Sequence, residues 1–331
     1  MRIDPDSRAN WAALLAGVQR ELLGAHFLLL DRLLRKSARA DYAELEPSNV
    51  IERRIILALL WAEEGRVSEL AALLCSDVGQ VSRALTAMRK GGLAERARQR
   101  DPYVLTGKGA GLGKALDEVA RRREGELIAG LRPLEIFDLA GILANLLDRA
   151  SAILVEETAR ARGDAGEETE QAAGPGLPGR LQPAIVNLST TIARSATHSF
   201  KRLTGISNYE WRILANVASR PAVSFMDLVG HIGSDKAQVS RALDSLVTAG
   251  LLERGKAGAA EPVRFAMTEE GGRVHEIMRE DALRRNAILT AGLDKGQRRR
   301  LQAYLDLLVA NASAMAERAN PARREQEGLE A

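Results

Sequence analysis

The sequence predicts a mainly α-helical protein built from two copies of one unit on a shared platform of long helices. Three observations carry this. Aromatic residues make up only 4% of the 331, while Ala, Leu, Arg and Glu dominate, a mixture that favours helices over strands. A block recurs: DVGQVSRALTAMRKGGLAER at residues 77–96 returns as DKAQVSRALDSLVTAGLLER at residues 235–254, with eleven of the 20 positions identical, a self-similarity that chance does not produce. Around each block lie helical stretches whose apolar stripes exceed what a short-helix core can cover, so they are expected to pack across the copies.

Between the copies, residues 162–180 (RGDAGEETEQAAGPGLPGR) have no apolar period and read as a linker. The plan is one copy over residues 1–161, the linker over 162–180, a second copy over 181–318 and a polar tail over 319–331. In chain order, a long helix is expected over 11–37 and three short ones follow. The first starts at paired capping signals, Asn49 with Glu52 and Ser207 with Glu210. The second covers 68–74 and 225–231, the latter led in by Ser224 with Asp227. The third starts at the N-caps Asp77 and Asp235, with Gln80 and Gln238 at the third helical position. Val81, Leu85 and Met88, matched by Val239, Leu243 and Leu246, recur at i, i+4 and i+7 and should face the core. Gly92 and Gly250 can supply the left-handed turn that ends this helix. LAER or LLER then leads through a loop to a short strand ending at Leu105 or Met267. The offset between copies grows from 158 to 162 residues across this loop, the mark of a surface hairpin. Long helices complete the copies over 108–130 and 133–157, and over 181–203, 269–291 and 294–318.

This order, with the turns LTGKG (105–109) and MTEEG (267–271), resembles the MarR family of winged helix-turn-helix regulators, and GSDKAQVSRALDSLVTAGLLER is similar to that family's recognition segment. Family members are ordinarily single-domain homodimers. The resemblance therefore implies two winged helix-turn-helix domains on a shared long-helix, dimerisation-like platform, both protomers fused into a single-chain pseudodimer. It further implies a sequence-specific regulator of transcription, one chain binding double-stranded DNA at two half-sites, and a small aromatic or carboxylic effector held between platform and winged domains. The residues leave a second reading, a protein-interaction or architectural module without sequence-specific DNA binding. The identical QVSR face in both copies favours DNA, since an interaction surface has no reason to need the same polar face twice.

The candidate base- and phosphate-contacting residues are Gln80, Ser82, Arg83 and Thr86 in the first copy and Lys236, Gln238, Ser240 and Arg241 in the second, because Arg and Gln pair bidentately with guanine and adenine edges in the major groove. The bland alternative is that the glutamines close capping boxes and Arg241 pairs with Asp244. On the wings, Arg96, Arg98 and Arg100 crowd a short loop and Lys256 lies on a longer one, where phosphates pass. Trp61, His198, Tyr209 and Trp211 are candidate effector contacts. The runs 121–123 (RRR) and 298–300 (RRR) are expected to be solvated helix faces.

Other functions find little support. The single cysteine, Cys75, permits no internal disulfide, the N-terminus carries charge and proline where a signal peptide needs an apolar stretch, and the longest apolar run, residues 55–62, is far short of the ~20 residues of a membrane span. A cytoplasmic, membrane-free protein is expected. GKGAGLGKAL (107–116) departs from a phosphate-binding loop at two positions. His26, His198, His231 and His275 show no metal-ligand spacing and no catalytic order stands out, so no metal, cofactor or enzymatic activity is expected.

Overall fold

The computed structural model describes residues 15, 19, 21–45, 49–162, 180–220, 222–232, 236–255 and 263–319. The first half runs α1 (Leu23–Asp41), α2 (Val50–Ala62), β1 (Glu64–Gly65), α3 (Val67–Leu73), α4 (Val78–Lys90), β2 (Ala94–Glu95), β3 (Tyr103–Leu105), α5 (Gly107–Leu127) and α6 (Pro133–Arg162). The second half has the same order: α7 (Leu181–Thr204), α8 (Asn208–Ala218), β4 (Val223–Ser224), α9 (Phe225–Ile232), α10 (Lys236–Thr248), β5 (Leu252–Arg254), β6 (Arg264–Met267), α11 (Glu269–Thr290) and α12 (Lys295–Arg318).

Capping chemistry explains the helix starts. At α8 the Ser207 hydroxyl accepts from the Glu210 amide at 3.2 Å, and the Glu210 carboxylate accepts from the Ser207 amide at 2.7 Å, a closed box. Its counterpart at α2 is half made, for Asn49 accepts from the Ile51 amide at 3.1 Å and Glu52 does not close back. Asp77 accepts from the Gln80 amide at 2.9 Å and starts α4; Asp235, the expected cap of α10, lies outside the described residues.

Each half carries a small antiparallel sheet, in the order β1-β3-β2 and β4-β6-β5. The returning strand of the hairpin is therefore central and pairs with the strand between the first two short helices, which fixes the wing to the helical core. The turn after the wing is built alike in both halves. Thr106 donates to the Gly92 carbonyl at 2.7 Å and accepts from the Gly109 amide at 3.1 Å; Thr268 does the same with Gly250 at 2.7 Å and Gly271 at 3.0 Å. A Cβ on Gly109 would collide with the Leu93 carbonyl oxygen, and one on Gly271 with that of Leu251, so only glycine lets the long helix start this close to the wing.

The long helices pack reciprocally. α6 lies on α7 and α12 on α1; α5 meets α12 as α6 meets α11; α5 meets α7 as α1 meets α11; and α1 crosses α7. One core cluster draws on both halves, including Leu30, Leu34, Leu143, Leu146, Leu188, Leu305 and Leu308. The two short-helix units have cores of their own, around Ile55, Leu85 and Met88 and around Ile213, Leu243 and Leu246. The helix expected to end at residue 37 continues to Asp41, and α6 runs on to Arg162, past the expected domain boundary.

The arginine runs are exposed as expected at residues 121, 122 and 298–300, but Arg123 corrects the expectation. Arg123 is fully buried: it donates to the Leu34 carbonyl and the Ser37 hydroxyl, both at 2.9 Å, pairs with Asp41, and lies over the Tyr42 ring at 5.8 Å. Arg121 pairs with Asp117 at 2.7 Å. In the second half Arg285 is buried in the same manner, 2.8 Å from Asp281 and 4.9 Å from the Phe200 ring centre. Arg298 donates to the carbonyls of Leu293 and Thr290, at the end of α11, and Arg300 pairs with Asp138 of the other half at 2.8 Å. A guanidinium offers five donors in a fixed plane, so Arg123 and Arg285 satisfy buried acceptors where helices cross, while Arg121, Arg298 and Arg300 make their contacts from exposed positions.

Candidate nucleic-acid interface and the cavity behind it

The third short helix presents the expected face. In α4, Val81, Leu85 and Met88 are buried while Gln80, Ser82, Arg83 and Thr86 are exposed; in α10, Val239, Leu243 and Leu246 are buried, Lys236, Gln238 and Arg241 are exposed and Ser240 is half-buried. Gly92 and Gly250 take the left-handed conformation, φ +68° and +71°. Arg83 and Arg241 form no ion pair among the described residues. The alternative Arg241–Asp244 pair is not formed: Asp244 holds Arg254 of β5 at 2.8 Å, because the wing strand brings that guanidinium alongside the helix. Thr86 donates to the Ser82 carbonyl at 2.9 Å, which turns its hydroxyl proton back onto its own helix.

The wing arginines are unequal. Arg96 is half-buried, donates to the Gln99 carbonyl at 2.6 Å and stacks 4.8 Å from the Tyr103 ring centre, so it braces the hairpin. Arg98 and Arg100 are exposed. Lys256 lies outside the described residues.

Behind the first unit, between it and the platform, lies a cavity of about 340 Å³ bounded by α1, α2, the end of α3, α5 and the start of α7. Its described lining holds five arginines (Arg35, Arg39, Arg53, Arg54 and Arg180) against three carboxylates, and the carboxylates are already engaged. Asp31 binds Arg35 at 2.8 Å; Asp117 binds Arg121 and Arg180, each at 2.7 Å; Glu124 accepts the amides of Leu181 and Gln182 at 2.7 and 3.1 Å, capping α7. Burial pushes the Glu124 carboxyl above its ordinary range, against the pull of those amides and of Arg180. Burial, with Arg35 nearby, pushes Arg54 down to about 10. Arg54 donates to the Leu74 carbonyl at 2.6 Å and to the Asn187 amide oxygen at 2.8 Å, joining the winged unit of one half to the platform helix of the other.

Of the four expected effector contacts, only Trp61 lines this cavity, at its rim, with Arg180 4.6 Å from its ring centre. Trp211 is buried in the other half beside two small spaces of about 60 and 40 Å³, Tyr209 packs against that half's core, and His198 lines none of these cavities. The four do not converge, because large residues at helix starts mark core and rim on both sides alike. Tyr42, Arg53, Arg54 and Asn187 were missed; the repeat offset that pairs Tyr42 with Phe200 and Arg53 with Trp211 was the available signal. Cys75 is buried at the end of α3 with φ +48°, and burial pushes its thiol up, away from reactive thiolate.

A mainly helical chain with small three-stranded sheets and an exposed polar third helix is of the winged-helix class. Residues 203–260, from the end of α7 through α10 and β5, match the model of the MarR family, which supports a MarR-type winged-helix, DNA-binding transcription regulator. No curated protein matches the chain. Among the described residues no helix is long and apolar enough to cross a membrane, and no group of three His, Cys, Asp or Glu is placed to hold a metal ion.

Proposed function

We propose that the chain regulates transcription by binding operator DNA as a single-chain pseudodimer, with residues 1–161 and 181–318 as its two MarR-like units. The observation that carries this reading is the repeated polar face, Gln80, Ser82 and Arg83 on α4 and Gln238, Ser240 and Arg241 on α10, exposed except at the half-buried Ser240 and set opposite a buried apolar stripe in each helix. The reciprocal packing of the long helices supports a pseudo-two-fold arrangement, which would set two recognition helices about one DNA turn apart, ~34 Å. Arg83 and Arg241 are the base readers and Arg98 and Arg100 the phosphate contacts of the first wing; Arg96 braces that wing. A small aromatic or carboxylic effector occupies the cavity of the first half and changes the separation of the helices.

A gel-shift with the DNA upstream of the protein's own gene, over a range of salt, tests this. One chain per two-half-site duplex is expected by sedimentation. Binding without sequence preference would favour an architectural module instead.

A further inference from the structure

The cavity behind the first winged unit has a counterpart behind the second. α1 starts at Leu23 and α7 at Leu181, 158 residues apart, and the two spaces are lined by residues at the same repeat positions: Tyr42 and Phe200, Arg53 and Trp211, Glu124 and Asn286. Even the cap is reciprocal, for Asn286 accepts the Leu23 amide at 2.9 Å as Glu124 accepts that of Leu181 at 2.7 Å. The spaces differ in size, about 340 Å³ against about 60 Å³. In the first half Arg53 lies 5.0 Å from the Tyr42 ring centre beside the open space. In the second, the Trp211 indole takes that position, 5.1 Å from the Phe200 ring centre and 6% exposed. An indole needs no counter-charge and buries a large apolar area, so it fills what an arginine leaves open.

We infer that Trp211 is a built-in occupant of the second site, so that the chain takes one ligand, in the first half only. The inference rests on the reading of the first cavity as an effector site. The size of that cavity falls within the ~300–1,000 Å³ of small-molecule sites, whereas the remnant beside Trp211 has room for little more than ordered water. The walls supply Tyr42, Leu57, Trp61 and Val186 for an aromatic ring. Arginines outnumber carboxylates in the lining and each carboxylate already holds a donor, so the surplus charge is positive. An incoming carboxylate would meet a guanidinium in a partly desolvated space, where such hydrogen bonds are strong. One ligand would act on one side of the molecule, between α2 and the platform helices α1 and α7, leaving the second unit docked by its own tryptophan.

Titration calorimetry of the full chain with 2-naphthoate tests this. One equivalent should bind. Arg53→Trp, which copies the second half's plug into the first, should weaken naphthoate at least tenfold. Ala38→Phe narrows the same cavity from α1 and should do likewise, so the test survives if either variant misfolds by circular dichroism. Trp211→Ala should admit a second equivalent. Two equivalents in the parent, no binding at all, or unchanged binding in folded Arg53→Trp or Ala38→Phe would overturn the inference. These titrations contain no DNA, so failure here leaves operator binding to be judged by gel-shift, and loss of operator binding leaves the ligand count standing.

Discussion

The two buried arginines sit at matching positions but draw their acids from different places. Arg123 finds Asp41 at the end of α1, with Ser37 as a further acceptor; Arg285 finds Asp281 one turn back on its own helix, and the position matching Asp41 is Ser199, which donates to Asp281 at 2.8 Å. The aromatic beneath each guanidinium is Tyr42 in one half and Phe200 in the other. What the halves share is charge balance around a guanidinium at the junction of platform and winged unit. The residue that supplies the acid is free to move, provided it arrives within reach.

The largest effect should come from breaking these junctions. Arg285→Met is expected to cost about 3 kcal/mol of stability, the low end of the range for removing one partner of a buried pair, because Asp281 keeps Arg284 and Ser199. Arg123→Met should cost less, about 2 kcal/mol, since Asp41 is 27% exposed and regains water, whereas Asp281 is 6% exposed. Denaturant melts of the two variants check the order, and equal losses would show that the location of the acid is immaterial.

Acid should separate the halves in the same sense. Burial pushes Asp281 up, but Arg285, Arg284 and Ser199 more than offset it and hold it below its ordinary value; Glu157, bonded to Arg202 and Arg284, is also held low. Carboxyls held low in the folded state contribute stability that is fully present above the ordinary carboxylate range, about 4, and lost as pH falls from there through their lower folded-state values. Glu124, held high by burial, has the opposite sign, and its protonation relieves a cost. Amide exchange, corrected for intrinsic rates, should therefore show α11 losing protection before α5 as pH is lowered from about 5 to about 2.

On DNA, Arg83→Ala and Arg241→Ala should each weaken operator binding by roughly 1–3 kcal/mol without loss of helicity. Unequal losses would measure how far the two faces have diverged. A smaller change is expected at the wings. Replacing Arg98 and Arg100 together by alanine should lower the slope of log affinity against log salt by up to ~2, at ~0.9 per phosphate contact. The smallest effect, and of opposite sign, should follow Asp244→Ala. It removes an anion from the recognition face and releases Arg254, raising the slope by at most ~1. A slope unchanged by the first substitution would mean that the basic wing is merely solvated.

The periodic parts of this fold were legible. Val81, Leu85 and Met88 sit where their spacing puts them, and Gly92 and Gly109 mark real constraints, since one needs a positive φ and the other cannot carry a Cβ. Arg123 was not legible in isolation, because a run of three arginines on a polar helix looks like a wet surface and only tertiary crossing brings Leu34 and Asp41 to it. The cavity was less legible still. Its walls come from both halves, more than a hundred residues apart between Arg54 and Asn187, and no local pattern encodes such a meeting. Trp61 and Trp211 were both candidate effector contacts yet belong to opposite sides of the molecule, one at the rim of the open cavity and the other filling its counterpart.

Positions 53 and 211 also have an evolutionary consequence. When two identical chains pair about a two-fold axis, one codon writes both related positions, so a mutation that closes a site on one side closes it on the other. Here the arginine and the tryptophan have separate codons in a single gene. Each can change while its counterpart is kept, so one side can close while the other stays open. The cost is that neither site has a spare: an inactivating change at residue 53 has no second copy to mask it, and in a mutational scan of the whole gene the two positions should tolerate quite different substitutions.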